Sequence, residues 1–232
     1  MSFRVDSSRS ALADLRNAPK VNQGAGSQTA QAPKTLGEAP PVPVPPEMLG
    51  ELAELFAPGG LVSRLKRRLN RLKSKKCRVI PAKGTIACID DDDLVYLGIG
   101  FLAEFKNRED VIAGVMAHEW GHSCAEKPDQ GEVQKLSWNE IFEMRRAHET
   151  LADEISGRML ALLGYKPDGL IEFLLRTEKG AHTLKYHAPE VRAQIIQNGY
   201  QDELRKATLA KDLFSKTVYS NNYSSRLIDD EI

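Results

Sequence analysis

What these 232 residues lack narrows the field first. There is no excess of charge: 32 Lys and Arg balance 32 Asp and Glu. A neutral chain has no global attraction for nucleic acid or an acidic substrate, and no nucleic-acid partner is expected. Cysteine is scarce, with only Cys77, Cys88 and Cys124. An odd number without a secretory signal argues against a disulfide framework, and reduced thiols in a cytoplasm are the simpler reading. The opening MSFRVDSSRS has no apolar h-region and no small-residue cleavage site. No window nears the roughly 20 apolar residues that span a bilayer. The expectation is a cytoplasmic protein; the alternative is export through a non-cleaved N-terminal leader.

What is present divides into three parts. Residues 1–45 are rich in Ser, Ala, Gln, Gly and Pro and end in APPVPVPP. Such a stretch buries too little apolar surface to offset its ordering entropy, so a disordered leader is expected, either a plain linker or an export signal. Residues 46–220 are long enough for one domain with a core. Residues 221–232 read as a polar tail.

Within the domain, EMLGELAELF suggests a short helix ended by PGG. In LVSRLKRRLNRLKSKKCR, Leu61, Leu65, Leu69 and Leu72 recur at helical spacing in a field of Lys and Arg. Residues 61–76 are either a helix that docks its leucines on the domain and solvates its charges, or a basic amphipathic helix on anionic membrane. CRVIPAKGTIACIDDDDLVYLG reads as strand, Gly turn, strand, with helical pattern returning from about Leu94. Further helices are expected over EDVIAGVMAHEWGHSCAEK, from Trp138 to Leu163 with Gly164 closing it, from Pro167 through Leu175, and over EVRAQIIQNGY. The expected fold class is a mainly helical α+β domain with one small sheet.

The segment AHEWGH carries the chemistry. Residues four apart share a helix face, so His118 and His122 can offer two imidazole nitrogens to one ion. Glu119 follows the first histidine and suits the role of general base toward a metal-activated water. Gly121 has no bulk, which favours close approach by a neighbouring element. A third ligand is needed. The metzincin extension fails, because positions 125 and 128 are Ala125 and Pro128. HETLADEISG supplies instead Glu149 as ligand, with Asp153 one turn on to hold a ligating histidine through its other ring nitrogen. Ala152 and Gly157 are small enough to let two helices close around the ion. His148 is a rival ligand, about a hundred degrees away on the helix. Cys124 is expected to be a small buried hydrophobe.

These motifs resemble, in order, the HtpX-like, Oma-like and CAAX-prenyl-protease group of zinc peptidases, peptidase family M-forty-eight. LAEFKNREDVIAGVMAHEWGH is similar to that family's run into its zinc helix. ETLADEISGRMLALLGYKPDG is similar to its Glu-x-x-x-Asp helix and following turn, and YHAPEVRAQII is a looser match to its His-Pro…Arg segment. The resemblance covers roughly residues 60–205. It implies a zincin-like (gluzincin) metalloprotease domain, one zinc ion per chain, endopeptidase action on protein substrates, and a downstream donor for the transition state. His187 is the residue it places there, with Arg192 as a second catalytic candidate and His182 as a third choice. Arg192 could instead pair with a carboxylate near the zinc. The strand TIACID could receive an extended substrate at its edge. Alternatives to an active peptidase are a self-inhibited form and a catalytically silent binding module, including a secreted bacterial effector.

Overall fold

The computed structural model describes residues 41–73, 76–125, 130–177 and 184–226. Most of the expected leader, His182 and the end of the expected tail lie outside them. The architecture is α+β, mostly helical, with one four-stranded mixed sheet.

The strands are β1 (Val42–Pro43), β2 (Arg78–Lys83), β3 (Ala87–Ile89) and β4 (Leu94–Gly98), in the spatial order β1-β2-β4-β3. β2 runs parallel to β4, with Arg78 opposite Leu94 and Ala82 opposite Gly98. β3 runs antiparallel to β4 and forms one edge. Two expectations change here. The strands on either side of the Gly84 turn flank β4 rather than each other. The helical reading from Leu94 begins too early, because LVYLG is an interior strand of the sheet, with Val95 and Leu97 fully buried. A strand covered on both faces loses its alternation, and so short an apolar run carries no distinguishing period. The leader boundary shifts as well. Val42 and Pro43 pair with β2, Val44 donates its backbone N–H to Pro81, and the Val44 side chain is buried.

The helices are α1 (Ala53–Phe56), α2 (Leu61–Leu69), α3 (Ile99–Phe105), α4 (Glu109–His122), α5 (Gln130–Lys135), α6 (Trp138–Leu163), α7 (Asp168–Thr177) and α8 (Pro189–Arg226). EMLGELAELF is mostly two 3-10 turns, with only α1 as α-helix. In α2 the leucines at 61, 65 and 69 are buried; Leu72 falls beyond the helix and is exposed. Several cations of this stretch are tied down within the fold. Arg64 reaches Glu109, Arg68 bonds the Leu163 carbonyl and lies over the Tyr165 ring, and Lys73 contacts Ser123. Among the described residues no helix is long and apolar enough to cross a membrane.

The hub is α4. Every residue from Val111 to Ala117 is buried, so this helix is covered all round rather than along one stripe. It packs on α6, α7, α2 and β3. Trp120 is fully buried, and its indole N–H donates to Asn70 Oδ1, which also accepts from the Cys77 backbone N–H. Asn70 thereby joins the end of α2, the approach to β2 and the last turn of α4. The expected bounds of α6 hold. Ser137 and Glu140 form a capping box at its start, and Gly164 closes it at φ 77°. α8 runs well beyond EVRAQIIQNGY and packs along α6.

Candidate metal centre

Two helices build the site. α4 presents His118 and His122 one turn apart, and α6 presents Glu149 and Asp153 one turn apart on the face toward α4. Gly121 lets them meet. A Cβ placed there would lie 2.7 Å from both the Cα and the carbonyl oxygen of Ala152, so any side chain would push the two ligand-bearing helices apart. Gly157 serves a different contact from the expected one: its bare face meets the backbone of Ile196 on α8, not α4.

The three donor atoms converge. His118 Nε2 and His122 Nε2 are 3.1 Å apart. Glu149 Oε2 stands 3.3 Å from the first and 3.6 Å from the second. A tetrahedral zinc with bonds of about 2.0–2.1 Å would space its ligands by about 3.3–3.4 Å, and the observed triangle brackets that value. Glu149 Oε2 is a buried oxygen with no hydrogen-bond partner of acceptable geometry among the described residues. An orphaned carboxylate oxygen facing two imidazole nitrogens is costly unless a cation completes the set. The residues therefore fit a metal ion. His122 is the more exposed histidine, its side chain 21% accessible against 13% for His118, so the group opens to solvent on that side. His148, the rival, is not in the group.

Behind the ligands lies a buried chain of charge. His118 Nδ1 is 3.0 Å from Asp153 Oδ1, at ion-pair distance though off the line of a straight hydrogen bond. Arg192 closes on Asp153 with two bonds, Nε to Oδ2 at 2.7 Å and Nη2 to Oδ1 at 2.9 Å. Both side chains are almost completely buried. Arg192 is thus placed behind the ligand set as a positioning residue, the carboxylate-pairing arrangement weighed for it above. Burial would raise the Asp153 pKa, but His118 and Arg192 hold it low. Burial would likewise raise Glu149; the two histidines hold it well below the usual range. Burial would lower His118, and Asp153 and Glu149 together hold it up at about 10 in the metal-free protein.

Glu119 is buried on the same helix, and burial raises its pKa while both histidines and Lys185 pull it down. His187 does not join the group. It lines an open groove with Glu143, Arg146, Ala147, Thr150, Leu151 and Glu154, on a face of α6 about 120° round from Glu149. Its neighbours Lys185 and Tyr186 make contacts of their own. Tyr186 lies against Arg192, with the guanidinium carbon 5.0 Å from the ring centre, and Lys185 Nζ is also 5.0 Å from that centre. Burial and the charge of Glu149 push the Tyr186 phenol up, opposed by the charge and hydrogen bond of Lys185. Tyr and Lys are donors as much as His, so KYH offers three candidate groups in sequence rather than one. Cys124 also departs from expectation. It is exposed, with Sγ 3.4 Å from the Trp120 carbonyl.

Comparisons of this chain with family models, with curated proteins and with solved structures find no match, so the resemblance drawn above rests on its motifs alone.

Proposed function

We propose that the protein is a zinc-dependent metalloendopeptidase of gluzincin type, hydrolysing peptide bonds in protein substrates. The observation that carries this reading is the convergence of His118, His122 and Glu149 at near-tetrahedral spacing, with a buried carboxylate, Glu119, next in sequence to the first ligand. Zinc bound by those three residues would supply a Lewis acid and lower the pKa of water. The protein's own part follows from its geometry. Glu119 takes a proton from the attacking water and returns it to the leaving amine; burial raises its pKa above that of a free carboxyl group, against the pull of the two histidines. Asp153 orients His118 and Arg192 orients Asp153. β3, as an edge strand packed near α4, presents its outer edge to an extended peptide.

The test combines elemental analysis with cleavage of an unstructured protein such as casein, on the wild type and on Glu119→Gln. One zinc per chain, cleavage by the wild type and loss of cleavage with retained zinc in Glu119→Gln are expected. Stoichiometric iron in place of zinc, which two histidines and one carboxylate can also bind, would overturn the zinc assignment. Zinc without cleavage would leave a binding module. Peripheral contact with anionic membrane through residues 61–76 is a separate proposal, for which Arg67 and Arg71 stand exposed. Binding to vesicles should then require anionic lipid and fade as added salt shortens the screening length below about 8 Å.

A further inference from the structure

α4 and α6 run antiparallel through the candidate metal centre: His118 meets Asp153, and His122, one turn further along α4, meets Glu149, one turn back along α6. α4 ends at His122, whereas α6 begins well before Glu149, at Trp138. The first turns of α6 therefore extend past the end of α4 on the side of His122, the more exposed of the two ligand histidines. At about 100° per residue, Trp138, Phe142 and Arg145 fall within about 40° of Glu149 around the helix, so they continue the ligand's own face beyond the metal centre. Two of the three are aromatic. The rings of Trp138 and Phe142 are 6.1 Å apart between centroids and tilted by 31°, and Trp138 is 54% exposed. The turn that carries them is anchored: Ser137 and Glu140 cap it, and Ile141 is fully buried. A large apolar ring held in water on an anchored turn is unfavourable until a partner covers it. Along the helix axis Phe142 and Trp138 stand about 10 and 16 Å from Glu149. An extended chain advances about 3.3 Å per residue, so these distances match substrate positions about three and five residues from the bond under attack.

We propose that Trp138 and Phe142 form a docking platform for an apolar side chain of the polypeptide being cleaved, about three to five residues to one side of the scissile bond. This rests on the peptidase reading and deepens it by assigning a substrate class: unfolded segments that expose an aromatic or branched apolar residue, a kind that folded proteins mostly keep inside. The rings contribute binding and take no part in the chemistry. A broad aromatic face accepts apolar groups of many shapes, so it selects for apolarity rather than for one residue type. Arg145, half-buried one turn before Glu149, marks the inner limit of the apolar stretch.

The experiment uses the full chain with one equivalent of zinc and casein as substrate, with the cut bonds located by mass spectrometry. Apolar residues should be enriched about three to five positions to one side of the cuts, and Trp138→Ala should abolish that enrichment. For a peptide taken from one such site, KM is expected to rise about tenfold in Trp138→Ala with kcat little changed, while zinc content and melting temperature stay at wild-type values. Trp138→Phe should recover most of the lost binding. Replacing the peptide's apolar residue by Ser should raise KM by a similar factor for the wild type and add nothing in Trp138→Ala, because both changes remove one contact. An unchanged KM, or a rise equal for peptides with and without the apolar residue, would overturn the platform and leave the peptidase reading standing. Loss of binding to anionic vesicles in Trp138→Ala with KM unchanged would also overturn it, by giving the ring to a membrane surface. A wild type that holds zinc but cleaves nothing would remove the peptidase reading and this inference together.

Discussion

Zinc and protons compete for His118. In the metal-free protein its pKa stands at about 10, because the carboxylates of Asp153 and Glu149 outweigh the desolvation that would lower it. Zinc requires the neutral imidazole, so binding at pH 7 should release a proton, read by calorimetry in buffers of different ionisation enthalpy. No proton release would contradict the charged resting state. The cluster also sets a pH dependence of stability for the metal-free chain. A raised folded pKa at His118 stabilises fully below its unfolded value of about 6.5, and that contribution is lost as pH rises through about 10. Lowered folded values at Asp153 and Glu149 stabilise above an unfolded value of about 4, and their contribution is lost as pH falls through the folded values. Denaturant midpoints of the metal-free protein should therefore decline from pH 6.5 toward 10 while zinc affinity climbs. At Arg192 the expected effect is larger. Arg192→Met would leave the buried Asp153 carboxylate without its guanidinium, costing about 3–5 kcal/mol in a urea titration. Zinc affinity should fall with it by about ten- to a hundredfold, as happens when the groups orienting a ligand are lost. An unchanged midpoint would deny the pair its structural role. Residues of this kind were unevenly legible. His118, His122, Glu149 and Asp153 follow from i to i+4 spacing on single helices, whereas the direction of Tyr186 and His187 depends on how one irregular segment crosses α6.

Two helices must touch for the ligands to meet, and Gly121 is where they do. Gly121→Ala puts a methyl against the Ala152 backbone, a contact that cannot yield by rotating a side chain. Overpacking of this kind costs about 1–3 kcal/mol, and here it also separates His122 from Glu149. Zinc affinity is expected to drop together with the melting temperature. Ser137→Ala provides the contrast: it removes the capping box at the far end of α6, costing about 1 kcal/mol with zinc affinity unchanged. Equal effects of the two variants on zinc affinity would deny Gly121 its special place. The bounds of α6 were readable because caps are local chemistry, with a serine three residues before a glutamate at one end and a glycine at the other. β4 was misread for the opposite reason. Its identity comes from being enclosed between β2 and β3, and LVYLG holds no internal sign of that enclosure.

For the molecule as a whole, the beginning of the fold is set by pairing rather than composition. Deleting residues 1–40 is expected to leave the melting temperature and zinc content unchanged, since that stretch is poor in core-forming residues. Deleting residues 1–45 should do harm, because it strips β1 from β2 and removes the buried Val44. Loss of one buried valine alone is worth about 1.5–3 kcal/mol, enough to see in a melt. Equal melting temperatures for the two truncations would show that β1 contributes nothing. Asn70 makes the same point inside the domain. One side chain satisfies the Trp120 indole and the Cys77 backbone across three elements, yet in sequence it is only an asparagine after a basic helix. The sequence by itself determined the helical frame, the two histidines, the glutamate between them and the carboxylates of α6, because helix periodicity and capping act within a few residues of chain. Only the tertiary structure decided that β4 lies inside the sheet, that Val42–Val44 belong to the fold, and that Arg192 holds Asp153. Those outcomes depend on contacts between segments far apart in sequence, and burial and electrostatics take their values only once such segments are in place.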